Sequence, residues 1–493
     1  MKTTSKVLTA FLLVLFALPA QAKKDDKTPP APSSRESLYQ SLEPLTEALL
    51  LAMEHYVDEA KSDPQTLVYG ALHGMIEQLD PFSSFMEPVG FSDMQAETEG
   101  EFGGLGIEIG FRDGRLTVVT PIEDTPADKA GVKAGDRIVK IEQEFTEGME
   151  IQDAVHKLRG LKGTKVTITV ARGGYPEPLL FTITRDTIRP LSVKSQLLEG
   201  GLGYLRLTDF MKNTADESAK ALREMKDKGA IGYILDLRNN PGGLLDQSAE
   251  VSGLFLPGGV TIVSTQGRSV GSRRVWTNPR NSPFKDLPLV VLVNKGSASA
   301  SEIVAGALQD HKRGVLMGET TFGKGSVQTI FALKQGKGAD GRPPAVRLTT
   351  AYYYLPGGRK IHEKGVDPDI RLEEPKPQME TLRLFNENAF EKFAKHWLNL
   401  AEIKVKDAPA RVKVDGDVFA HFIEFARDLG LRPDADKVKI DEALIQNVLA
   451  AEFVRFSEGD KGEEAARKIR ISRDPWVLRA GEIIRAVNLS RKP

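Results

Sequence analysis

Two short apolar runs in the middle of the sequence constrain the largest part of this chain to an α/β fold. Residues 233–237 and 289–293 are almost wholly apolar, and segments with helical character separate such runs along the chain. A strand that reads as a continuous apolar run is buried on both faces, which is typical of a parallel sheet covered by helices. We therefore expect residues 175–374 to form the core of an α/β multidomain protein.

The chain has 493 residues, enough for about three or four folded units. Upstream of the core, one set of apolar residues recurs at steps of three and four, as on one face of an amphipathic helix. These residues are Leu42, Leu45, Leu49, Ala52 and Tyr56. We expect a second helix at about residues 65–78, and we interpret residues 38–100 as a helical N-terminal region with a structural role.

Residues 375–493 are charged and again read as helical. No catalytic pattern occurs in them, so we expect a C-terminal helical region for self-assembly or for an adaptor surface. Together with the apolar stripe near the N-terminus, this region predicts a homo-oligomer.

The first 22 residues have the three parts of a secretory signal peptide. Lys2 and Lys6 provide a positive start, residues 7–18 are largely apolar, and residues 20–22 read Ala-Gln-Ala, a small-x-small cleavage pattern. The alternative, an uncleaved membrane anchor, needs about 18 apolar residues, more than this run provides. We expect residues 23–37 to be a linker and the protein to be exported to a bacterial periplasm, soluble or peripherally associated with a membrane.

Cysteine is absent from the sequence, which excludes disulfides, thiol nucleophiles and thiolate metal sites. A covalent nucleophile would have to be an oxygen or an amine. Sixty-seven Lys and Arg balance sixty-eight Asp and Glu, so the formal net charge of −1 provides no overall field to hold a nucleic acid. We expect no nucleic-acid partner.

A glycine-rich turn before a short strand predicts a peptide-binding module at residues 101–174. In that turn, successive backbone N–H groups can point inward and form a nest for a carboxylate. The strand that begins at Ile107 could pair with a peptide, while a helix bearing Ile151 and Val155 contacts its last side chain. The alternative is a tight turn that binds nothing. The predicted groove residues are Gly104, Leu105, Gly106, Ile107, Ile151, Val155 and Leu158.

The segment after this turn resembles the connecting segment of a PDZ domain. The residues that carry the resemblance are Thr125, Pro126, Ala127, Asp128, Ala130, Gly131, Val132, Gly135, Asp136 and Ile138. The resemblance implies a module that binds peptides and does not itself cut them.

Three serines, Ser297, Ser299 and Ser301, lie between the apolar run at 289–293 and a segment of helical character. A strand, a sharp turn and a helix N-terminus can expose a hydroxyl beside backbone donors that face a developing oxyanion. Serine is equally suited to cap a helix, so position alone does not choose among the three.

Lys324 lies between Gly323 and Gly325, where it could approach a buried site closely. A desolvated lysine can lose its proton and act as a base, although most lysines are solvated surface residues. Residues 318–325 also approach a phosphate-binding loop, but a glycine occupies the Ser/Thr position and the following residues read as a strand. The histidines are scattered and no H-E-x-x-H occurs. We expect neither a cofactor nor a metal.

Several motifs together resemble the carboxy-terminal processing protease, or tail-specific protease, family. The resemblance covers about residues 45–372, and its core resembles the ClpP and crotonase fold. In the leader segment at residues 79–84, Phe82 stands where His or Tyr is usual. The matching segments are residues 79–84, 236–243, 297–310, 355–359 and 365–369.

Residue by residue, the resemblance makes Ser299 the nucleophile, Lys324 the general base and Gln328 its orienting partner. It places the oxyanion hole at the N–H groups of Gly243 and Ala300. The implied protein is an exported serine endopeptidase that captures the free C-terminal tail of protein or peptide substrates and forms an acyl-enzyme. Its PDZ module would also act as a gate, and a periplasmic adaptor protein is a further expected partner. The alternative is a catalytically inactive PDZ-containing scaffold.

Overall fold

The computed structural model describes residues 35–112, 114–122, 125–133, 135–172, 175–189, 191–269, 271–338, 341–373, 379–400, 414, 416–431, 442–457 and 462–490. The predicted signal peptide and the predicted linker up to residue 34 lie outside the described residues. The chain divides into two compact units, Met1–Gly74 and Met75–Pro493.

The described part of the first unit is helical. It consists of α1 at Arg35–His55, a 3₁₀ turn at Glu59–Lys61 and most of α2 (Pro64–Glu77), whose last three residues belong to the second unit. The Asp63 carboxylate accepts a hydrogen bond from the Thr66 N–H at 2.8 Å, which caps α2. Leu42 and Leu45 of the predicted stripe are 43% and 51% exposed, so this part of α1 is not buried in a core.

After the end of α2, the second unit continues with β1 (Ser84–Met86) and α3 (Pro88–Glu99), and a small antiparallel module follows. The elements of the module are β2 (Phe102–Gly104), β3 (Ile107–Arg112), β4 (Arg115–Pro121), α4 (Pro126–Lys129), β5 (Arg137–Ile141), β6 (Glu144–Phe145), α5 (Ile151–Leu158), β7 (Lys165–Ala171), β8 (Leu179–Thr184) and β9 (Asp186–Ile188). Its sheet has the order β3-β4-β5-β7-β8, with β6 paired to β5, and β2 pairs with β9. Among the described strands, β3 has a neighbour on one side only, so its other edge can accept an added strand.

The α/β core follows. In chain order it contains β10 (Val193–Leu198), β11 (Leu202–Leu207), α6 (Thr214–Asp227), β12 (Gly232–Asp236), α7 (Leu245–Gly253), β13 (Thr261–Gly267), β14 (Arg274–Thr277), β15 (Leu289–Val293), α8 (Ala300–Asp310), β16 (Val315–Gly318), β17 (Ser326–Ala332), β18 (Ala345–Tyr354) and β19 (Ile370–Arg371). The central sheet has the order β10-β11-β12-β15-β16-β19 and is parallel except for β10. A second sheet has the order β1-β18-β13-β14, with β17 paired to β18.

Alternate residues of the central strands enter two different cores. On β15, Leu289, Val291 and Val293 join one cluster together with residues of α7 and α8. Val290 and Leu292 point into a second cluster on the opposite face. Side chains alternate between the faces of a strand, so burial on both sides explains why this strand is apolar at every position.

The C-terminal region contains six described helices. They are α9 (Met379–Asn386), α10 (Ala389–Leu400), α11 (Gly416–Asp428), α12 (Glu442–Ser457), α13 (Gly462–Ser472) and α14 (Pro475–Ser490). Helices α9 to α12 build a core of their own, in which Phe393 contacts the rings of Phe422 and Phe453. Within the described ranges, no helix combines the length and the hydropathy that a membrane span requires.

Helix α14 is separate from that core. Its residues Trp476, Val477, Ala480 and Ile484 pack in the second cluster of the central sheet, against Val290 and Leu292 of β15. The sequence suggested one C-terminal region for assembly, whereas its last helix covers one face of the α/β core.

Candidate active site

The candidate nucleophile lies where the central strand β15 is followed by α8. Ser299 immediately precedes α8 and has a φ of +54°, which is uncommon for a residue other than glycine. Such a conformation persists only when the surrounding structure enforces it, and it is found frequently at functional sites.

The structure distinguishes the three serines. The Ser297 hydroxyl is buried and donates to the Leu237 carbonyl at 2.8 Å. The Ser301 hydroxyl is also buried and donates to the Asn240 carbonyl at 2.9 Å. Ser299 is partly exposed and lines a cavity. Two of the serines therefore hold the turn after β12, while Ser299 is accessible to a substrate.

The cavity has a volume of about 990 Å³ and brings the predicted catalytic residues to one place. Its wall includes Gly243, Ser299, Ala300, Lys324 and Gln328, contributed by the segments that follow β12, β15 and β16 and by β17. Segments that are far apart in the sequence therefore converge on one space, which has room for an extended peptide.

Two backbone N–H groups at the cavity are in the predicted oxyanion positions. Among the described residues, no acceptor receives a hydrogen bond from the N–H of Ala300 or Gly243. Gly243 has a φ of +132°, and a Cβ there would lie 2.4 Å from the Phe210 carbonyl oxygen. Only glycine fits this turn, and the turn leaves its N–H available to a ligand.

Glu302 connects the segments that carry Ser299 and Lys324. Its carboxylate is fully buried and accepts hydrogen bonds from the backbone N–H groups of Ser299 at 2.8 Å, Gly323 at 2.7 Å and Lys324 at 2.8 Å. The Thr321 hydroxyl donates to it at 2.5 Å. Burial raises the pKa of Glu302, and these hydrogen bonds oppose that shift. One carboxylate thus holds the backbones of the candidate nucleophile and base together.

Lys324 is partly buried, and its pKa is lowered by burial and by the nearby Arg347 guanidinium, against an opposing effect of Glu302. Its Nζ lies 5.0 Å from the centroid of the Phe82 ring. Within the described part of the chain, no hydrogen bond joins Lys324 Nζ to the Ser299 hydroxyl. Gln328 Nε2 donates to Ser326 at 2.9 Å and to Thr349 at 3.2 Å, so it too is not bonded to Lys324 here.

Tyr353 is a further residue at this site. Its buried hydroxyl donates to the Lys324 carbonyl and interacts with the Ser299 side chain. Burial, with the proximity of Glu302, raises its pKa, so the phenol stays protonated and can donate.

The predicted peptide groove is divided between exposed and buried residues. Gly106 has a φ of +78°, and no described residue accepts a hydrogen bond from its N–H or from that of Leu105. Ile107 and Val155 are half-buried and Ile151 is exposed. The side chains of Leu105 and Leu158, two residues of the predicted groove, pack in the core of the module. Gly104 is buried in β2.

Comparisons with known proteins agree with this geometry. A PDZ domain model matches residues 117–172, and a model of peptidase family S41 matches residues 201–372. The carboxy-terminal-processing protease of Bartonella bacilliformis is 46% identical over 320 residues, which are 64% of this chain and 72% of that protein. This chain belongs to the carboxy-terminal processing protease family.

Other members of the family are also similar. The carboxyl-terminal-processing protease of Synechocystis sp. is 40% identical over 62% of this chain and 71% of its own length. The solved structure of a photosystem II D1 C-terminal processing protease is 32% identical, covers 66% of this chain and 92% of that chain, and has a TM-score of 0.39.

Membership of the carboxy-terminal processing proteases confirms the predicted fold class, a peptidase core with a PDZ domain and helical N- and C-terminal regions. It also makes the chain a peptidase of the serine type. Sequence reasoning missed two residues at the site. Glu302 carries a local signal, because Ser299 and a glutamate three residues later form a capping-box pattern. Tyr353 carries none, since only the tertiary fold brings it to Ser299.

Proposed function

We propose that this protein is an exported endopeptidase that captures the C-terminal tail of a protein and cuts the chain by a Ser-Lys mechanism. The observation that carries the proposal is the shared cavity of Ser299, Lys324 and the two available N–H groups of Ala300 and Gly243. The PDZ module supports the tail-binding part, because β3 has an open edge beside a glycine turn with available N–H groups.

In the first step, the neutral amine of Lys324 takes the proton of the Ser299 hydroxyl while Oγ attacks the scissile carbonyl carbon. The N–H groups of Ala300 and Gly243 donate to the oxyanion of the tetrahedral intermediate. Lys324 then returns its proton to the leaving amine as the C–N bond breaks, which leaves an ester between Ser299 and the acyl part of the substrate. A water molecule attacks this ester, with Lys324 again as the base, and releases the second product.

This mechanism requires a rearrangement of the Lys324 side chain. Its Nζ must come within hydrogen-bond distance of Ser299 Oγ, and catalytic hydrogen bonds often tighten only when a substrate is bound. Gln328 lines the same cavity as Lys324, and this supports its proposed role. Its Nε2 donates to Ser326 and Thr349, and its Oε1 accepts no hydrogen bond among the described residues. Oε1 would accept a hydrogen bond from Lys324 and orient it.

Ser299→Ala and Lys324→Ala provide the test, with an unfolded protein that has a free C-terminus as the substrate. We expect both variants to lose turnover, since each removes a group that forms or breaks a bond. Lys295→Ala is the matched control, because Lys295 is an exposed lysine in the loop before Ser299. Turnover by Ser299→Ala at the wild-type rate would refute the serine mechanism and the assignment of Ser299 as the nucleophile.

Tail capture has its own test. Amidation of the substrate's C-terminus removes the charge that the glycine turn would bind, so we expect a higher KM with a similar kcat. An unchanged KM would contradict recognition of the tail.

Deletion of residues 101–174 tests the proposed gate, and we expect it to raise cleavage of a short unstructured peptide.

Export, a homo-oligomer and an adaptor complete the proposal. The exposed leucines of α1 support an assembly surface, which light scattering would test; a strict monomer would remove it. Fractionation of cells that express the full chain tests export, with loss of residues 1–22 as the expected result. A pull-down on Ser299→Ala from the same exported fraction tests for an adaptor.

A further inference from the structure

Arg238, at the start of the predicted oxyanion turn, is held between two carboxylates. Its Nε lies 3.0 Å from Asp236 Oδ1, and its Nη2 lies 2.6 Å from Asp236 Oδ2. Asp236 is fully buried at the end of β12. On the other side, Arg238 Nη2 lies 2.8 Å from Asp474 Oδ2, and the guanidinium carbon lies 5.3 Å from the centroid of the Trp476 ring.

Asp474 uses its two carboxylate oxygens differently. Oδ1 accepts hydrogen bonds from the N–H groups of Trp476 at 2.8 Å and Val477 at 3.2 Å, which caps the start of α14. Oδ2 pairs with Arg238. The same residue therefore begins the C-terminal helix and connects it to the peptidase core.

The charges of this cluster balance. Arg206 Nη1 lies 3.5 Å from Asp236, so two guanidinium groups face the carboxylates of Asp236 and Asp474. All four side chains are at most 30% exposed. Removal of one charged group from a cluster with little access to water leaves an uncompensated charge, which costs more than the loss of an exposed pair. Asp474 is thus the group from the C-terminal region that completes the balance.

The cluster is continuous with the donors of the oxyanion hole. The Arg238 N–H donates to Asp236 Oδ1 at 3.0 Å, which fixes the backbone as the chain leaves β12. Two residues later, Asn240 Nδ2 donates to the Leu207 carbonyl at 3.0 Å, and Asn240 Oδ1 accepts from the Gly242 N–H at 2.9 Å. Gly243 follows directly, so the position of its N–H depends on the backbone that Arg238 anchors.

We propose that Asp474 is a positioning residue of the peptidase site, and that α14, which lies outside the region matched by the peptidase model, is a working part of the catalytic domain. Asp474 neutralises and orients Arg238, and Arg238 with Asp236 holds the turn that presents the Gly243 N–H to the oxyanion. The inference rests on the proposed function, because it assigns a role within that reaction.

Asp474→Asn is the decisive variant. Asparagine caps a helix about as well as aspartate, so α14 keeps its start while Arg238 loses the negative charge of Asp474. Glu482→Gln is the matched control, since Glu482 lies on α14 and its exposed carboxylate pairs only with Arg479 among the ion partners described. The measurements are kcat and KM on a free-tailed protein substrate, the Tm, and the affinity for a peptide boronate that forms an adduct with Ser299 and fills the oxyanion hole.

For Asp474→Asn we expect kcat to fall about tenfold, equivalent to ~1.4 kcal/mol in the transition state, with KM little changed. The affinity for the boronate should fall by a similar factor, and both values should stay at the wild-type level in Glu482→Gln. A merely structural role would lower the Tm and leave the kcat of the folded enzyme intact.

Three results would overturn the inference: an unchanged kcat in Asp474→Asn, an unchanged boronate affinity, or an equal loss in Glu482→Gln. Failure of the proposed function is a separate result, because Ser299→Ala would then turn over like the wild type whatever Asp474→Asn does.

Discussion

Two glycine-rich turns in this protein each present backbone N–H groups, and the structure holds them in different ways. The turn that ends at Gly243 is fixed by buried side-chain hydrogen bonds of Asn240 and Ser301 and by an ion-pair cluster beneath it. The turn at Gly106 lies next to the open edge of β3 and is held by the Thr125 hydroxyl, which donates to the Gly106 carbonyl at 3.1 Å, and by two backbone N–H groups, of Ile122 and Ala127.

The difference corresponds to the two kinds of anion that we propose they bind. An oxyanion exists only near the transition state, so its donors accelerate the reaction to the extent that they are already in place. A tail carboxylate is present throughout binding, so its donors lower KM without a direct effect on the chemical step. We therefore propose that the turn fixed by buried side chains and ion pairs serves catalysis, and that the turn beside the edge of β3 serves recognition.

Among the variants that test this comparison, the largest effect is expected for Gly243→Ala. The methyl group would meet the Phe210 carbonyl and force the turn to move, so we expect kcat to fall by about 10²–10³, the typical cost of one lost oxyanion donor. Gly259→Ala is the control for backbone strain alone, because Gly259 also has a positive φ and no atom lies within 4 Å of its added Cβ. A wild-type kcat in Gly243→Ala would contradict the proposal that this turn supplies an oxyanion donor.

Gly106→Ala should act on binding. Its added Cβ would lie 2.3 Å from Thr125 Cβ, which displaces the turn, and we expect KM for a free-tailed substrate to rise about tenfold, the value of one hydrogen bond to a charged group. Gly114→Ala, in the next hairpin of the module, has open space around it and serves as the control. A fall in kcat with an unchanged KM would show that the Gly106 turn acts in catalysis and not in substrate binding.

Arg347→Gln tests whether Lys324 is the catalytic base. The Arg347 guanidinium contributes to the lowered pKa of Lys324, so its removal should raise that pKa toward the ordinary lysine value. Because the mechanism needs the neutral amine, the acid limb of the kcat/KM profile should move to higher pH, while KM for the tail stays constant. A pH profile that does not move would argue against Lys324 as the titrating group.

Phe82→Leu should have the smallest effect and the opposite sign. The Phe82 ring contacts Lys324 Nζ and favours the ammonium form by ~0.5–2 kcal/mol, as cation–π contacts do. Its loss should move the acid limb to lower pH and raise kcat/KM a few-fold under acidic conditions. A shift in the same direction as that of Arg347→Gln would contradict the contact.

Sequence reasoning predicted the elements whose signals are local. The apolar run of β15, the serine segment before α8 and the glycine turns could be recognised because burial on two faces and backbone geometry restrict the residues allowed there. Contacts between distant segments could not be predicted beyond those that the family resemblance implies. The sequence marks Phe82 only as a departure from the family's usual His or Tyr, yet its ring lies against Lys324. Likewise, α14 has the amphipathic character of an assembly helix, and only the fold reveals that its partner is the central sheet.

The central claim is that Ser299 forms a covalent acyl intermediate with the help of Lys324. The most direct measurement is to quench the enzyme during turnover of a peptide ester and to locate the added acyl mass by mass spectrometry. We predict an acyl group on Ser299 that is absent from Ser299→Ala and strongly reduced in Lys324→Ala. An acyl group on Ser297 or Ser301, or turnover with no acyl group on any residue, would contradict the account.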